Sequence, residues 1–222
     1  MAETIGSTAR RLAAALLRIG AVAFSPEKPY TWASGLRSPI YCDNRVTMAY
    51  PPIRRAITEG FAEIIAREGL APEAVVGTAT AGIPHAAWLA ERLELPMAYV
   101  RSKPKAHGRG NRVEGRLEAG ANVVVVEDLV STGMSSVAVV EALRAAGVRV
   151  EAVLAIFSYG LPAARAAFDR AAVPLHTLTG FAALLDVARE TGALAPGAVA
   201  SLEAWRRDPE AWSKAHALEP IT

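Results

Sequence analysis

The chain has 222 residues, of which 52% are hydrophobic and 21% charged, a length and balance that predict one compact domain, or one domain plus a small subdomain, with a sizeable core, and that exclude a disordered chain. Lys+Arg of 24 against Asp+Glu of 22 leaves a formal charge of +2, too even for a surface built to hold a nucleic acid backbone, so any cationic site is local. The single cysteine, Cys42, excludes an intrachain disulfide and a thiolate zinc cage, and it suits a reducing cytoplasm.

Along the chain, Ile5, Ala9, Leu12, Leu16 and Ile19 recur at spacings of three and four and predict a helix that ends near Gly20. Arg18 cuts its apolar run too short for a secretory leader. Residues 24–45, dense in Pro, Gly, Ser and aromatic side chains, predict extended or turning chain. Within it, Tyr30, Trp32 and Tyr41 either border a planar ligand or simply pack. Pro51 and Pro52 start a helix that runs to about Glu68, where Gly69 stops it. Apolar runs at 74–77, 97–101, 122–128, 148–157 and 173–178 read as buried strands, separated by helical stretches at 83–93, 133–146 and 162–170. This alternation predicts an α/β fold on a mostly parallel sheet. His85, just inside the helix at 83–93, reads as a packed or surface histidine rather than a base. The longest uncharged span, Ala74 to Ala90, falls short of the roughly 20 apolar residues that cross a bilayer. Residues 103–118, charged and without either period, predict a long exposed loop. From Phe181 to Trp212 helical spacing returns, and this tail packs either beside the N-terminal helix or against a partner.

The chemistry concentrates at Val123-Val124-Val125-Val126-Glu127-Asp128-Leu129-Val130-Ser131-Thr132-Gly133-Met134-Ser135. An apolar strand delivers two carboxylates at its carboxyl end, the edge of a parallel sheet where ligands bind. The following hydroxyl-rich turn opens a helix, so its free backbone N–H groups suit a phosphate monoester, with Ser131, Thr132 and Ser135 adding donors. Glu127 and Asp128 would repel phosphate and suit ribose hydroxyls or a magnesium-bound group. Read alone, the turn is an ordinary capped helix start. No G-x-x-x-x-G-K-[ST] and no G-x-G-x-x-G after a strand occur, which argues against a P-loop NTPase or a dinucleotide-binding oxidoreductase. Arg101, Lys103, Lys105, His107, Arg109 and Arg112 gather cations around Gly108 and Gly110, either as a solvated basic loop or as a lid able to fold over an anion.

The acid–acid–x–x–x–Thr–Gly arrangement resembles the phosphoribosyl-diphosphate (PRPP) motif of the type I phosphoribosyltransferases. The run from Tyr30 to Arg45 with its Ser-Pro-Ile-Tyr-Cys-Asp-Asn-Arg ending, Gly77-Thr78-Ala79-Thr80-Ala81-Gly82-Ile83-Pro84 and Tyr99-Val100-Arg101-Ser102-Lys103-Pro104-Lys105-Ala106-His107-Gly108 look like successive landmarks of the orotate phosphoribosyltransferases. The resemblance implies the type I fold over residues 1–222 as a single domain. Its parallel sheet would be flanked by helices, residues 1–45 would form a small hood to which the C-terminal segment is a second contributor, and residues 103–118 would form the lid.

It further implies transfer of the phosphoribosyl group of PRPP to orotate for UMP synthesis, with Mg2+ held mainly through PRPP and without a protein metal site. PRPP would be bound by Arg101, Lys105, His107, Glu127, Asp128, Leu129, Val130, Ser131, Thr132, Gly133, Met134 and Ser135. Lys105, His107, Glu127 and Asp128 would serve catalysis, and residues 78–82 would form the diphosphate loop. Partners would be the two small substrates and a second copy of the chain, which shares its lid across a homodimer; no nucleic acid and no membrane are implied. Some members carry lysines where Ala33, Ala81 and Ser102 stand, and an orotate-contacting arginine near the position of Tyr159. Ser131 is therefore the expected orotate contact here, and Lys103 takes over part of the cationic work. Two other readings share these motifs: a phosphoribosyltransferase for another base, and a PRPP-sensing regulator without turnover.

Overall fold

The computed structural model describes residues 6–32, 34–102, 112–194 and 196–216. Helix α1 (Ser7–Arg18) leads into β1 (Val22–Phe24), β2 (Tyr30–Thr31), β3 (Arg37–Ser38) and β4 (Ile40–Cys42). A 3-10 turn at Asn44–Ala49 precedes α2 (Pro51–Arg67). The alternating half follows as β5 (Ala74–Thr78), α3 (Gly82–Leu93), β6 (Met97–Val100), β7 (Val113–Glu114), β8 (Asn122–Val130), α4 (Met134–Ala145), β9 (Arg149–Ser158), α5 (Pro162–Ala171) and β10 (Leu175–Gly180). Helices α6 (Phe181–Glu190), α7 (Pro196–Arg207) and α8 (Pro209–Ala215) end the described chain.

Among the described residues the main sheet runs β10-β9-β8-β5-β6-β7, parallel except for the β6–β7 pair. Its central strands are valine-rich because both faces are covered, so no polar alternation is needed. Val124 and Val126 of β8 pack into one core with α1, α2, α3 and the C-terminal helices, whereas Val123 and Val125 pack into a second core with α4 and α5. Four valines in a row thus serve both layers of a sandwich.

The C-terminal tail docks on its own N-terminal segment. Trp205 is fully buried against Trp32 and Tyr159 at centroid distances of 5.6 and 5.3 Å, the Arg37 N–H donates to Ser213 Oγ at 2.9 Å, and the Arg37 guanidinium donates to the His216 carbonyl at 3.0 Å. Arg10 on α1 pairs with Glu190 at the end of α6.

Strand β10, expected at 173–178, starts and ends two residues later, in step with its pairing to residues 153–158 of β9, and two further differences bear on the site. The loop expected at 103–118 contains β7, which returns antiparallel along β6 and pairs with its last two residues, Tyr99 and Val100; two residues are too few to show a period. Strand β8 runs on to Val130, two residues beyond the expected end, because Leu129 and Val130 still pair with Phe157 and Ser158 of β9. The Val130 side chain is consequently buried in the core beneath α4.

Candidate functional site

At the carboxyl ends of β5, β6 and β8 lies a cleft of about 470 Å³, lined by Cys42, Asp43 and Arg45 from the N-terminal segment, by residues 78–81, and by Ser102, Arg112, Glu127, Asp128, Leu129 and Ser135. Its position follows from topology. Parallel strands end on one edge, and the loops leaving β5 and β8 enclose the crevice between them.

Glu127 and Asp128 are consecutive on β8 and therefore point to opposite faces of the sheet. Glu127 is buried, with both carboxyl oxygens engaged: Thr78 Oγ1 stands 2.6 Å from Oε1, the Asp128 N–H donates to Oε1 at 3.1 Å, and Ser136 Oγ lies 3.1 Å from Oε2. Burial, with the Asp128 charge beside it, pushes the Glu127 carboxyl well above the usual carboxylate range. Asp128 is raised as well, chiefly by burial, but it retains exposure to the cleft. Its carbonyl accepts a 2.6 Å bond from Asn44 Nδ2, which fixes the N-terminal segment to the carboxylate strand.

After β8, residues 131–133 turn into α4. Gly133 takes φ +78, and a Cβ there would stand 3.0 Å from Phe168 Cε2, so the turn requires glycine on both counts. The Val137 N–H bonds the Gly133 carbonyl as the first turn of α4 closes, while the N–H groups of its opening residues face outward as an anion cradle. A second loop lies between β5 and α3, with a cis peptide at Ala79–Thr80. The N-terminus of α3 sits so close to β8 that a Cβ on Gly82 would collide with Thr78 Oγ1 and the Val126 carbonyl.

The cations approach from two sides. Arg101 and Arg112 stand at the base of the basic segment. The Arg101 N–H donates to the Arg112 carbonyl at 2.9 Å, Arg112 Nε returns a 3.0 Å bond to the Arg101 carbonyl, and Arg112 Nη1 donates to the Ala138 carbonyl on α4 at 3.3 Å. Arg101 also pairs with Glu114 at 3.4 Å. On the other side Arg45 holds Asp43 through two bonds of 2.6 and 2.8 Å.

Of the residues expected to bind PRPP, Glu127, Asp128, Leu129 and Ser135 line the cleft; Ser131, Thr132, Gly133 and Met134 form the turn above it; and Arg101 stands at its rim. Lys103, Lys105 and His107 lie outside the described residues, as does Ala33. His85 is buried at 1% exposure and packs edge-on against Trp88, and its pKa is lowered by burial to about 4, so it serves packing. Trp32 belongs to the aromatic cluster with Tyr159 and Trp205, whereas Tyr41 is exposed and tilted against Tyr30.

Sequence reasoning missed Arg45 and the side chain of Thr78 as parts of the cleft, and it gave Arg112 only as one cation of the lid. The available signal for Arg45 was Asp43-Asn44-Arg45, the only charges between Arg37 and Arg54, lying in a turn. For Thr78 the resemblance implies only membership of the diphosphate loop, with no bond to the acidic pair.

Residues 49–179 match the phosphoribosyl transferase domain family. Similarity extends to the orotate phosphoribosyltransferase of Bacillus pumilus, 54% identical over 204 residues that cover 91% of this chain and 96% of that protein. Among solved structures, orotate phosphoribosyltransferase from Aeropyrum pernix is 32% identical with a TM-score of 0.69, covering 83% of this chain and 99% of the other. The UMP synthase of Leishmania donovani is 27% identical with a TM-score of 0.77, covering 90% of this chain and 42% of that one.

Proposed function

As a member of the orotate phosphoribosyltransferase family the chain transfers the 5-phosphoribosyl group of PRPP to orotate, giving orotidine 5′-monophosphate and diphosphate on the way to UMP, and we propose that this transfer occurs in the cleft above Glu127 and Asp128. The observation that supports this placement is the meeting, at one sheet edge, of a carboxylate, an anion cradle and two arginines.

The turn of Ser131, Thr132, Gly133, Met134 and Ser135 cradles the 5-phosphate through backbone N–H groups and hydroxyls. Asp128 faces the ribose hydroxyls. Glu127, whose oxygens are taken up by Thr78 and Ser136, stands behind it and holds the two loops in register. The diphosphate lies toward residues 78–82 and Arg112, with Arg101 nearby and Lys105 and His107 closing over it from the second copy of a homodimer. Displacement at the anomeric carbon develops positive charge on the ribose ring and negative charge on the departing diphosphate. Asp128 counters the first and the cations counter the second, so the protein positions and neutralises without a side-chain nucleophile.

Magnesium enters mainly on PRPP. It prefers one or two carboxylates together with substrate phosphates, and Asp128 would supply carboxylate oxygen at the cleft floor. When bound, the ion supplies charge neutralisation on the diphosphate. Ser131 contributes a hydroxyl contact to orotate. A cytoplasmic site of action agrees with the lone, buried, unpaired Cys42, and among the described residues no helix is long and apolar enough to cross a membrane.

The test is orotate consumption followed by ultraviolet absorbance with PRPP and Mg2+, repeated with uracil, adenine, guanine and hypoxanthine. Turnover of orotate alone is expected. Turnover of another base would overturn the acceptor, and PRPP binding without turnover of any base would favour a regulator.

A further inference from the structure

Orotate differs from uracil by a carboxylate on carbon 6, next to the nitrogen that attacks the ribose. A cation on the side of the cleft from which the base approaches would select orotate through that carboxylate. The base and the diphosphate occupy opposite faces of the anomeric carbon, so one cation cannot serve both groups.

Among the described residues the cations lining the cleft are Arg45 and Arg112. They stand on opposite layers of the fold. Arg112 is tied to the Ala138 carbonyl on α4 and to Arg101, beside the loop of residues 78–81. Arg45 follows β4, whose Ile40 and Cys42 pack into the core of the other face, on the layer toward which Asp128 points. Tyr159 offers no alternative to Arg45, because it is 2% exposed and enclosed by Trp32, Phe157 and Trp205.

The local geometry around Arg45 is that of a preset fork. Asp43 accepts from the Arg45 backbone N–H at 3.1 Å, from Nε at 2.6 Å and from Nη2 at 2.8 Å. Those bonds use one edge of the guanidinium and leave the Nη1 hydrogens and one Nη2 hydrogen for a second acceptor. The Arg45 side chain is 60% exposed, so the remaining donors are accessible. Asn44 fastens this turn to β8 by its 2.6 Å bond to the Asp128 carbonyl, which holds the fork at a set height above the ribose site. A planar, pre-oriented guanidinium is the group that best recognises a carboxylate.

We propose that Arg45, held by Asp43, receives the carboxylate of orotate and sets the acceptor specificity of the enzyme. The inference rests on the cleft being the substrate site. Arg45 touches the non-reacting carboxylate, and Asp43 acts through Arg45 as a positioning residue.

The experiment is steady-state kinetics of Arg45→Gln and Arg45→Lys against both substrates, with orotate binding by calorimetry in the presence of diphosphate and ribose 5-phosphate. Arg45→Gln is expected to raise the orotate KM at least about tenfold, to leave the PRPP KM within about twofold and to narrow the preference for orotate over uracil. Arg45→Lys keeps the charge but not the fork and should fall between the two. Asp43→Asn should raise the orotate KM by a smaller factor, and Arg45→Gln should restore nothing when added to it. An unchanged orotate KM in Arg45→Gln would overturn the proposal, and so would a loss confined to the PRPP KM, which would assign Arg45 to the diphosphate. A wild-type enzyme that consumes no orotate would instead overturn the location of the substrate site together with its acceptor.

Discussion

Thr78 at the end of β5 and Glu127 near the end of β8 meet side chain to side chain at 2.6 Å, so the loop expected to receive the diphosphate is bonded directly to the strand that carries the ribose-binding acid. The same Thr78 hydroxyl lies 3.2 Å from the Val126 carbonyl, and it can donate to only one of these acceptors at a time. Thr78→Val removes the hydroxyl while keeping the shape. A stability loss of about 1–3 kcal/mol in urea unfolding and a fall of about tenfold in kcat/KM for PRPP are expected, with Thr78→Ser close to wild type. Equal stability of Thr78→Val and wild type would show that the bond contributes nothing.

Asp128 and Glu127 should separate in kinetics. Asp128→Asn is expected to cut kcat/KM for PRPP by at least about tenfold, on the order of 1.4 kcal/mol of transition-state stabilisation. Glu127→Gln keeps the acceptor toward Thr78 and should cost less in kcat/KM than Asp128→Asn. The reverse order would move the ribose contact to Glu127.

Stability should respond to pH in two opposite directions. His85 has its folded pKa lowered to about 4 by burial, so its contribution is complete above its ordinary value of 6.5 and is lost as pH falls toward 4. That loss amounts to about 3 kcal/mol, and His85→Leu should flatten it in denaturant titrations between those two values. Glu127 behaves inversely. Its raised folded pKa gives a contribution complete below the ordinary carboxylate range and lost as pH rises through the elevated value, a slope that Glu127→Gln removes. A pH profile identical in all three proteins would refute both assignments.

Gly133→Ala places a side chain at φ +78 and within 3.0 Å of Phe168. We expect a loss of about 1–3 kcal/mol together with a raised KM for PRPP, because the strained turn is also the phosphate cradle. A thermal unfolding midpoint equal to that of wild type would mean that the turn relaxes freely.

A lid shared across a homodimer predicts complementation between defective copies. Lys105→Ala and Asp128→Asn, each weakly active alone, should recover part of the activity when mixed, since a mixed dimer holds one intact site. Proven subunit exchange without recovery would assign each lid to its own cleft.

The sequence alone determined the motif and the alternating strands and helices that flank it. Alternation of apolar runs with helical spacing, Pro51 and Gly69 as start and stop, and two acids behind four valines are local signals, because they depend only on backbone preference and on which face each side chain must bury. It also settled the family, since landmarks in a set order need no coordinates. The tertiary structure decided what no local pattern encodes. It paired β7 back along β6, carried the C-terminal helices onto the N-terminal segment through Trp205, turned Glu127 inward to Thr78 and Ser136 while leaving Asp128 on the cleft, and brought Arg45 to a site 83 residues away in sequence, at Asp128. The physical reason is that a side chain's role depends on which distant groups share its burial and its charge, and chain closure over tens of residues leaves no periodic trace.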